Sequence, residues 1–196
     1  MTEDAYTGFY TGLTQELRGL RVIERSQSRF LRGLFRVLAF VTRKNYSQYA
    51  TTLGATIYVP DGFFSWSPDL RYALLRHEVV HVRQFQRWPL PWLGRTPLWG
   101  LNAFLMGFCY LFCFPVLLTC RAMFERQAYI ETFLVLHELG KLQDAGLRDL
   151  QVSWMEDTFG GPAYLFMWTR ARARAWAEKL MQDILAGKVP NPHRVA

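Results

Sequence analysis

The stretch that decides the fold is Leu75-Arg76-His77-Glu78-Val79-Val80-His81-Val82, which holds two of the chain's four histidines. Residues at i and i+4 share one face of a helix, so His77 and His81 can bind one ion if the stretch is helical. Zn²⁺ binds imidazole well, and a water activated by zinc can give its proton to a neighbouring carboxylate. The stretch therefore predicts a zinc site with two histidine ligands and Glu78 as the base.

The flanking residues predict a helix that carries this site. Ser67-Pro68-Asp69 is a helix start, because Ser suits the N-cap, Pro the first helical position and an acid the first turn. Trp88-Pro89-Leu90-Pro91 cannot continue a helix. Buried histidines need polar partners, so packing alone is a poor explanation for them. Helical spacing predicts an apolar stripe and an arginine stripe: Leu70, Leu74, His77, His81, Phe85 and Trp88 on the first, and Arg76, Arg83 and Arg87 on the second.

The composition predicts one domain over residues 1–196. The chain is 51% hydrophobic and 16% aromatic, which is enough apolar mass for one well-packed core. Its formal net charge is +7, and a basic chain favours an anionic neighbour. A membrane surface, nucleic acid or an acidic substrate would each satisfy that charge.

The cysteines and the first residues favour the cytoplasm. Cys109, Cys113 and Cys120 are odd in number and lie in one apolar run, as expected of buried free thiols in a reducing compartment. Cys109 and Cys113 could share a helix face and bind a metal, but no other ligand type accompanies them. Met1-Thr2-Glu3-Asp4 has no basic region followed by an apolar core, so we expect no cleavable signal peptide.

The first third of the chain predicts helix and then strands. Residues 4–24 are weakly helical, and residues 26–43 predict an amphipathic helix for a solvated surface or an anionic bilayer. Tyr, Thr, Ile and Val then predict strands at residues 46–52 and 55–59, which can form a hairpin. A strand just before the metal-binding helix could bind an extended substrate at a sheet edge. The basic face of the amphipathic helix comprises Arg25, Arg29, Arg32 and Arg36.

The uncharged residues 96–120 leave membrane contact open. Leu101–Cys120 is long enough to cross a bilayer. A single crossing would separate His77 and His81 from a ligand later in the chain. We therefore favour a buried or membrane-dipping helix broken at Pro115 over a transmembrane helix.

A helix predicted over residues 116–139 carries the candidates for a third ligand, which a catalytic zinc site needs. Glu125 follows the apolar run, where an acid is unfavourable unless it is paired, exposed or bound to metal. A salt bridge with Arg121 is its simplest alternative explanation. Glu131 and His137 are the competing candidates.

His77-Glu78-x-x-His81 followed by Glu125-x-x-Ala128 resembles the gluzincin metallopeptidases. The nearest pattern is that of the CaaX prenyl-protease-like group, whose second motif is E-x-x-A-D. The resemblance covers roughly residues 46–133, and its first motif is the specific one. It implies a zincin-like fold, zinc held by His77, His81 and Glu125, and Glu78 as the base.

The chain departs from that pattern at Tyr129, where the family has Asp. The family Asp orients a histidine ligand, so Tyr129 or Glu131 would have to take that role. Further along, a loop through Gly146 leads to a turn that could bring Tyr164 to the site, where its hydroxyl could stabilise an oxyanion. A core aromatic is the simpler interpretation of Tyr164. A final helix is predicted over residues 163–185.

Together these features predict an α+β, mostly α, zincin-like domain with a short β-hairpin before the metal-binding helix. The predicted function is that of a cytoplasmic zinc metallopeptidase, a hydrolase that cleaves peptide or protein substrates and can associate with an anionic membrane surface. The alternative is a membrane-associated or nucleic-acid-binding interaction protein with a structural or degenerate metal site. Nucleic acid is the less favoured partner.

Overall fold

A computed structural model of the protein describes residues 1–29, 50–87, 116–161 and 168–190, together with positions 33 and 101. The described chain is mostly helical with one small sheet, which confirms the predicted α+β class. The chain divides into two units, residues 1–109 and 110–196.

The sheet of the first unit consists, in the described residues, of β1 (Arg21–Glu24), β2 (Thr51–Leu53) and β3 (Thr56–Val59). β2 and β3 are antiparallel, which confirms the predicted hairpin, and Gly54 turns between them at a φ of 62°. β1 pairs in parallel with β3 and was not predicted. The strand just before the helix that carries the two histidines is therefore the central one, and β2 lies at the edge of the described sheet.

Two helices of the first unit run parallel to each other. α1 (Glu3–Glu16) begins at Thr2, whose hydroxyl accepts a hydrogen bond from the Ala5 amide. α2 (Pro68–Arg87) confirms the helix predicted around the two histidines. Arg71 pairs with Glu3, and Arg83 pairs with Glu16 at 2.9 Å. Both helices thus advance in the same direction from the first ion pair to the second.

The buried face of α2 is rotated away from the predicted apolar stripe. Leu70 is 53% exposed, and both histidines are only half-buried. Arg76 was predicted on the polar stripe, yet it is 2% exposed and its Nη1 donates to the Tyr72 hydroxyl at 2.5 Å. The histidines therefore lie beside the buried face, whose apolar side chains are Tyr72, Leu75, Val79, Val82 and Phe85.

The second unit contains, among its described residues, the helices α3 (Val116–Glu138), α4 (Ala145–Phe159) and α5 (Arg170–Leu185). α3 confirms the predicted helix. α4 occupies a region predicted as a loop and begins at Asp144, whose carboxylate accepts a hydrogen bond from the Leu147 amide at 3.0 Å. The final helix begins later than predicted, because the Thr169 hydroxyl caps it by accepting from the Arg172 amide.

The three helices of the second unit share an apolar core in which aromatic rings predominate. Phe159, fully buried at the end of α4, stacks on Trp168 at 4.8 Å and meets Trp176 edge-on at 5.6 Å between ring centroids. Small residues of α5 let it pack closely, since Ala173 and Ala177 are fully buried. This core fixes α3, which carries Glu125.

Some predictions lie outside the described residues, including most of the helix over residues 26–43, Cys109, Cys113, Pro115 and Tyr164. The start of that helix is wrong, because Arg25–Gln27 form a 3-10 turn after β1. Arg25 is buried, which lowers its pKa, although the charge of Asp61 opposes that shift. Within the described part of the chain, no helix has both the length and the apolar character needed to cross a membrane.

Candidate metal centre

His77 and His81 lie one turn apart on α2, as the sequence predicts. Their ring centroids are 5.3 Å apart and the rings are inclined by 70°. Both side chains are half-buried, so they lie where the helix face passes from the core to solvent. This position suits a catalytic metal, which needs buried ligands on one side and an open coordination position on the other.

Gln84 fixes the orientation of His81. The Gln84 side-chain oxygen lies 2.9 Å from His81 Nδ1, and Gln84 is itself buried. An amide oxygen can only accept a hydrogen bond, so this contact suits the tautomer in which Nδ1 carries the proton and Nε2 presents its lone pair. Such a second partner orients a histidine ligand and raises its basicity. Gln84 is therefore a further candidate for the orienting role that the resemblance leaves to Tyr129 or Glu131.

Glu78 is held by a residue of the hairpin. The Thr52 hydroxyl donates to Glu78 Oε2 at 2.6 Å, and both side chains are buried. Hydrogen bonds of this length from a hydroxyl to a carboxylate are charge-assisted and among the strong ones in proteins. The carboxylate next to the first histidine is thus fixed by β2.

The described residues contain one group of three side chains suited to a metal ion, namely His77, His81 and Glu125. One ligand atom from each lies within 4.8 Å of the other two, and Glu125 is 5% exposed. Tetrahedral zinc with bonds of about 2.0–2.1 Å places its ligand atoms about 3.4 Å apart. The group offers two imidazole nitrogens and one carboxylate oxygen, which is a donor set that zinc uses in proteins.

The other candidate residues lie outside this group. Glu131 is buried on α3 but does not join it among the described residues, and neither does His137. The Tyr129 ring meets Trp154 and Phe159 edge-on, each at 5.4 Å between centroids. Tyr129 therefore contributes its ring to the aromatic core of the second unit.

Sequence reasoning missed both Thr52 and Gln84. Gln84 could have been found, because residues at i and i+3 are neighbours on a helix and its side chain can reach His81. Thr52 could not, because its contact with Glu78 depends on how the hairpin packs on α2.

Replacing Gln84 by alanine is expected to lower zinc affinity by about 10–100-fold, the usual effect of losing a partner that orients a histidine ligand. Competition with a chromogenic zinc chelator measures the dissociation constant. Gln86→Ala is the matched control, since Gln86 lies on the same helix and is half-buried. Equal affinity of Gln84→Ala and the wild type would show that the contact does not orient a ligand.

Searches against protein-family models, curated proteins and solved structures find no match to this chain. The zincin-like fold stays a prediction that rests on the two motifs. The candidate metal centre thus comprises two histidines and one glutamate, and Glu78 follows the first histidine in the sequence.

Proposed function

We propose that the protein is a zinc-dependent metallohydrolase that cleaves peptide bonds. The observation that carries the proposal is the group formed by His77, His81 and Glu125, with Glu78 next to the first histidine in sequence. Two histidines and one carboxylate are a donor set of catalytic zinc, and they leave a position for water and substrate. A structural zinc site would instead be closed by four protein ligands.

His77, His81 and Glu125 would hold the ion. Zinc bound there would supply a Lewis acid that polarises a substrate carbonyl and acidifies water. Glu78 accepts a proton from the attacking water while the water oxygen forms a bond to the carbonyl carbon of the substrate. The same carboxylate then delivers that proton to the amide nitrogen as the C–N bond breaks. The base is regenerated, and the products are a carboxylate and an amine.

A peptide is the favoured substrate because of the position of β2. This strand lies at the edge of the described sheet, and Thr52 links it to Glu78. An exposed edge strand can pair with an extended backbone through main-chain hydrogen bonds. An extended peptide paired with β2 would lie alongside the strand whose Thr52 contacts Glu78.

The alternative of a basic interaction protein has less support from the described residues. Several arginines among the described residues form ion pairs within the protein, which offsets their charge locally. Arg71 pairs with Glu3, and Arg83 pairs with Glu16. Arg174 pairs with Glu156 at 2.7 Å, which lowers the pKa of that carboxyl group.

The proposal is tested with a mixture of internally quenched peptides. We expect the purified protein to cleave members of the mixture, 1,10-phenanthroline to abolish cleavage, and zinc added after removal of the chelator to restore it. His81→Ala should remain inactive after the same addition, because a ligand is missing. Cleavage that persists without metal, or an inactive wild type with full zinc, would contradict the proposed function.

A further inference from the structure

We infer that Thr52 is a positioning residue that aims the Glu78 carboxylate, an inference that rests on the proposed function. The hydroxyl of Thr52 donates to Glu78 Oε2 at 2.6 Å within a buried contact. A carboxylate at the end of a flexible side chain can rotate about its last bond. A charge-assisted hydrogen bond from a fixed donor restricts that rotation and therefore sets where the second oxygen points.

Thr52 can fix the carboxylate because its own backbone is fixed. It lies in the middle of β2, opposite Ile57 of β3, and Ile57 is fully buried. Side chains alternate between the two faces of a strand, so Thr51 and Leu53 point to the other face, and Leu53 is exposed. The strand therefore directs a single hydroxyl toward α2, and that hydroxyl contacts the base.

A positioning role of Thr52 and a simple packing role predict different effects when Thr52 is substituted. Loss of the Thr52 hydroxyl leaves the Glu78 carboxylate in place but allows it to rotate. The chemical step should therefore slow, while substrate binding is unchanged. Thr52→Val keeps the branched shape and the strand preference of threonine, and it removes only the donor. Thr52→Ser keeps the donor and removes the methyl group.

The test compares these variants in the quenched-peptide assay, with rates referred to zinc content per chain. For Thr52→Val we expect kcat to fall by about 10–100-fold, which matches the loss of one hydrogen bond to a charged group. KM should stay near the wild-type value, and Thr52→Ser should retain most of the wild-type kcat. A wild-type kcat in Thr52→Val, or an equal loss in Thr52→Ser, would overturn the positioning role.

The coupling between Thr52 and Glu78 can also be measured without a substrate, from the stability of the folded protein. Urea unfolding of Thr52→Val, Glu78→Ala and the double variant forms a mutant cycle. We expect Thr52→Val to lower the urea midpoint in the wild type and to leave it nearly unchanged in the Glu78→Ala background. Additive effects would overturn the inference, because they would show that the two side chains are not coupled.

The two proposals fail in different ways. Full turnover in Glu78→Gln would refute the role of Glu78 as base, and the positioning role would fail with it. Loss of turnover in Glu78→Gln together with wild-type kcat in Thr52→Val would leave the proposed function standing and refute only the role of Thr52.

Discussion

Glu78→Gln is expected to keep its zinc and to lose about 10²–10⁴-fold in kcat, the usual contribution of a general base. Glutamine has nearly the shape of glutamate, and its side-chain oxygen can still accept the hydrogen bond from Thr52. The metal ligands are untouched, so zinc affinity should not change. What is lost is the group that accepts the proton of the attacking water.

The measurement combines kcat on the quenched peptides with zinc content by mass spectrometry of the metal. Glu131→Gln is the matched control, since Glu131 is also a buried glutamate but lies outside the metal-binding group. It should retain far more turnover than Glu78→Gln. A fully active Glu78→Gln, or one that has lost its zinc, would refute the role of Glu78 as a base that does not bind metal.

Glu125→Ala is expected to weaken zinc binding by more than about 100-fold, which exceeds the loss seen when only an orienting partner is removed. The substitution deletes one of three ligands and leaves a site of two histidines. Glu131→Ala, on the same helix and with the same change in charge, should lower zinc affinity far less. Competition with a zinc chelator measures both affinities. Loss of zinc from Glu131→Ala but not from Glu125→Ala would reverse the assignment of the third ligand.

The helix α2 and the hairpin could be predicted because their signals are local. Ser67-Pro68-Asp69 marks the start of α2, and the β-branched and aromatic residues on either side of Gly54 mark two strands. The buried face of α2 was harder to predict, because an arginine side chain is usually exposed. Arg76 is instead buried, with its guanidinium directed to the Tyr72 hydroxyl.

β1 and α4 could not be predicted with the same rules. β1 is four residues long and pairs in parallel with β3, more than thirty residues later in the chain, so no local turn marks it. The apolar residues of α4 occupy both its buried and its exposed surfaces, since Leu150 is 61% exposed and Trp154 is 45% exposed. The apolar residues of α4 therefore show only weak helical spacing in the sequence. Gly146, in the first turn, favoured the prediction of a loop.

The residues of the candidate site that lie at helical spacing within one motif could be predicted from the sequence. His77, Glu78 and His81 follow from one motif, whereas Glu125 required the resemblance to a second motif. The contact with Thr52 depends on the packing of a hairpin against a helix, which the spacing of residues along the sequence does not specify. The placement of all 196 residues in one zincin-like domain stays a prediction.

Anomalous diffraction at the zinc absorption edge, from crystals of the protein purified without added chelator, tests the central claim most directly. We predict one zinc peak per chain, within about 2.0–2.2 Å of a nitrogen of His77, a nitrogen of His81 and a carboxylate oxygen of Glu125. The Glu78 carboxylate should lie near the peak without binding it. A zinc peak bound elsewhere, a peak that excludes Glu125, or no peak after zinc is added would contradict the account.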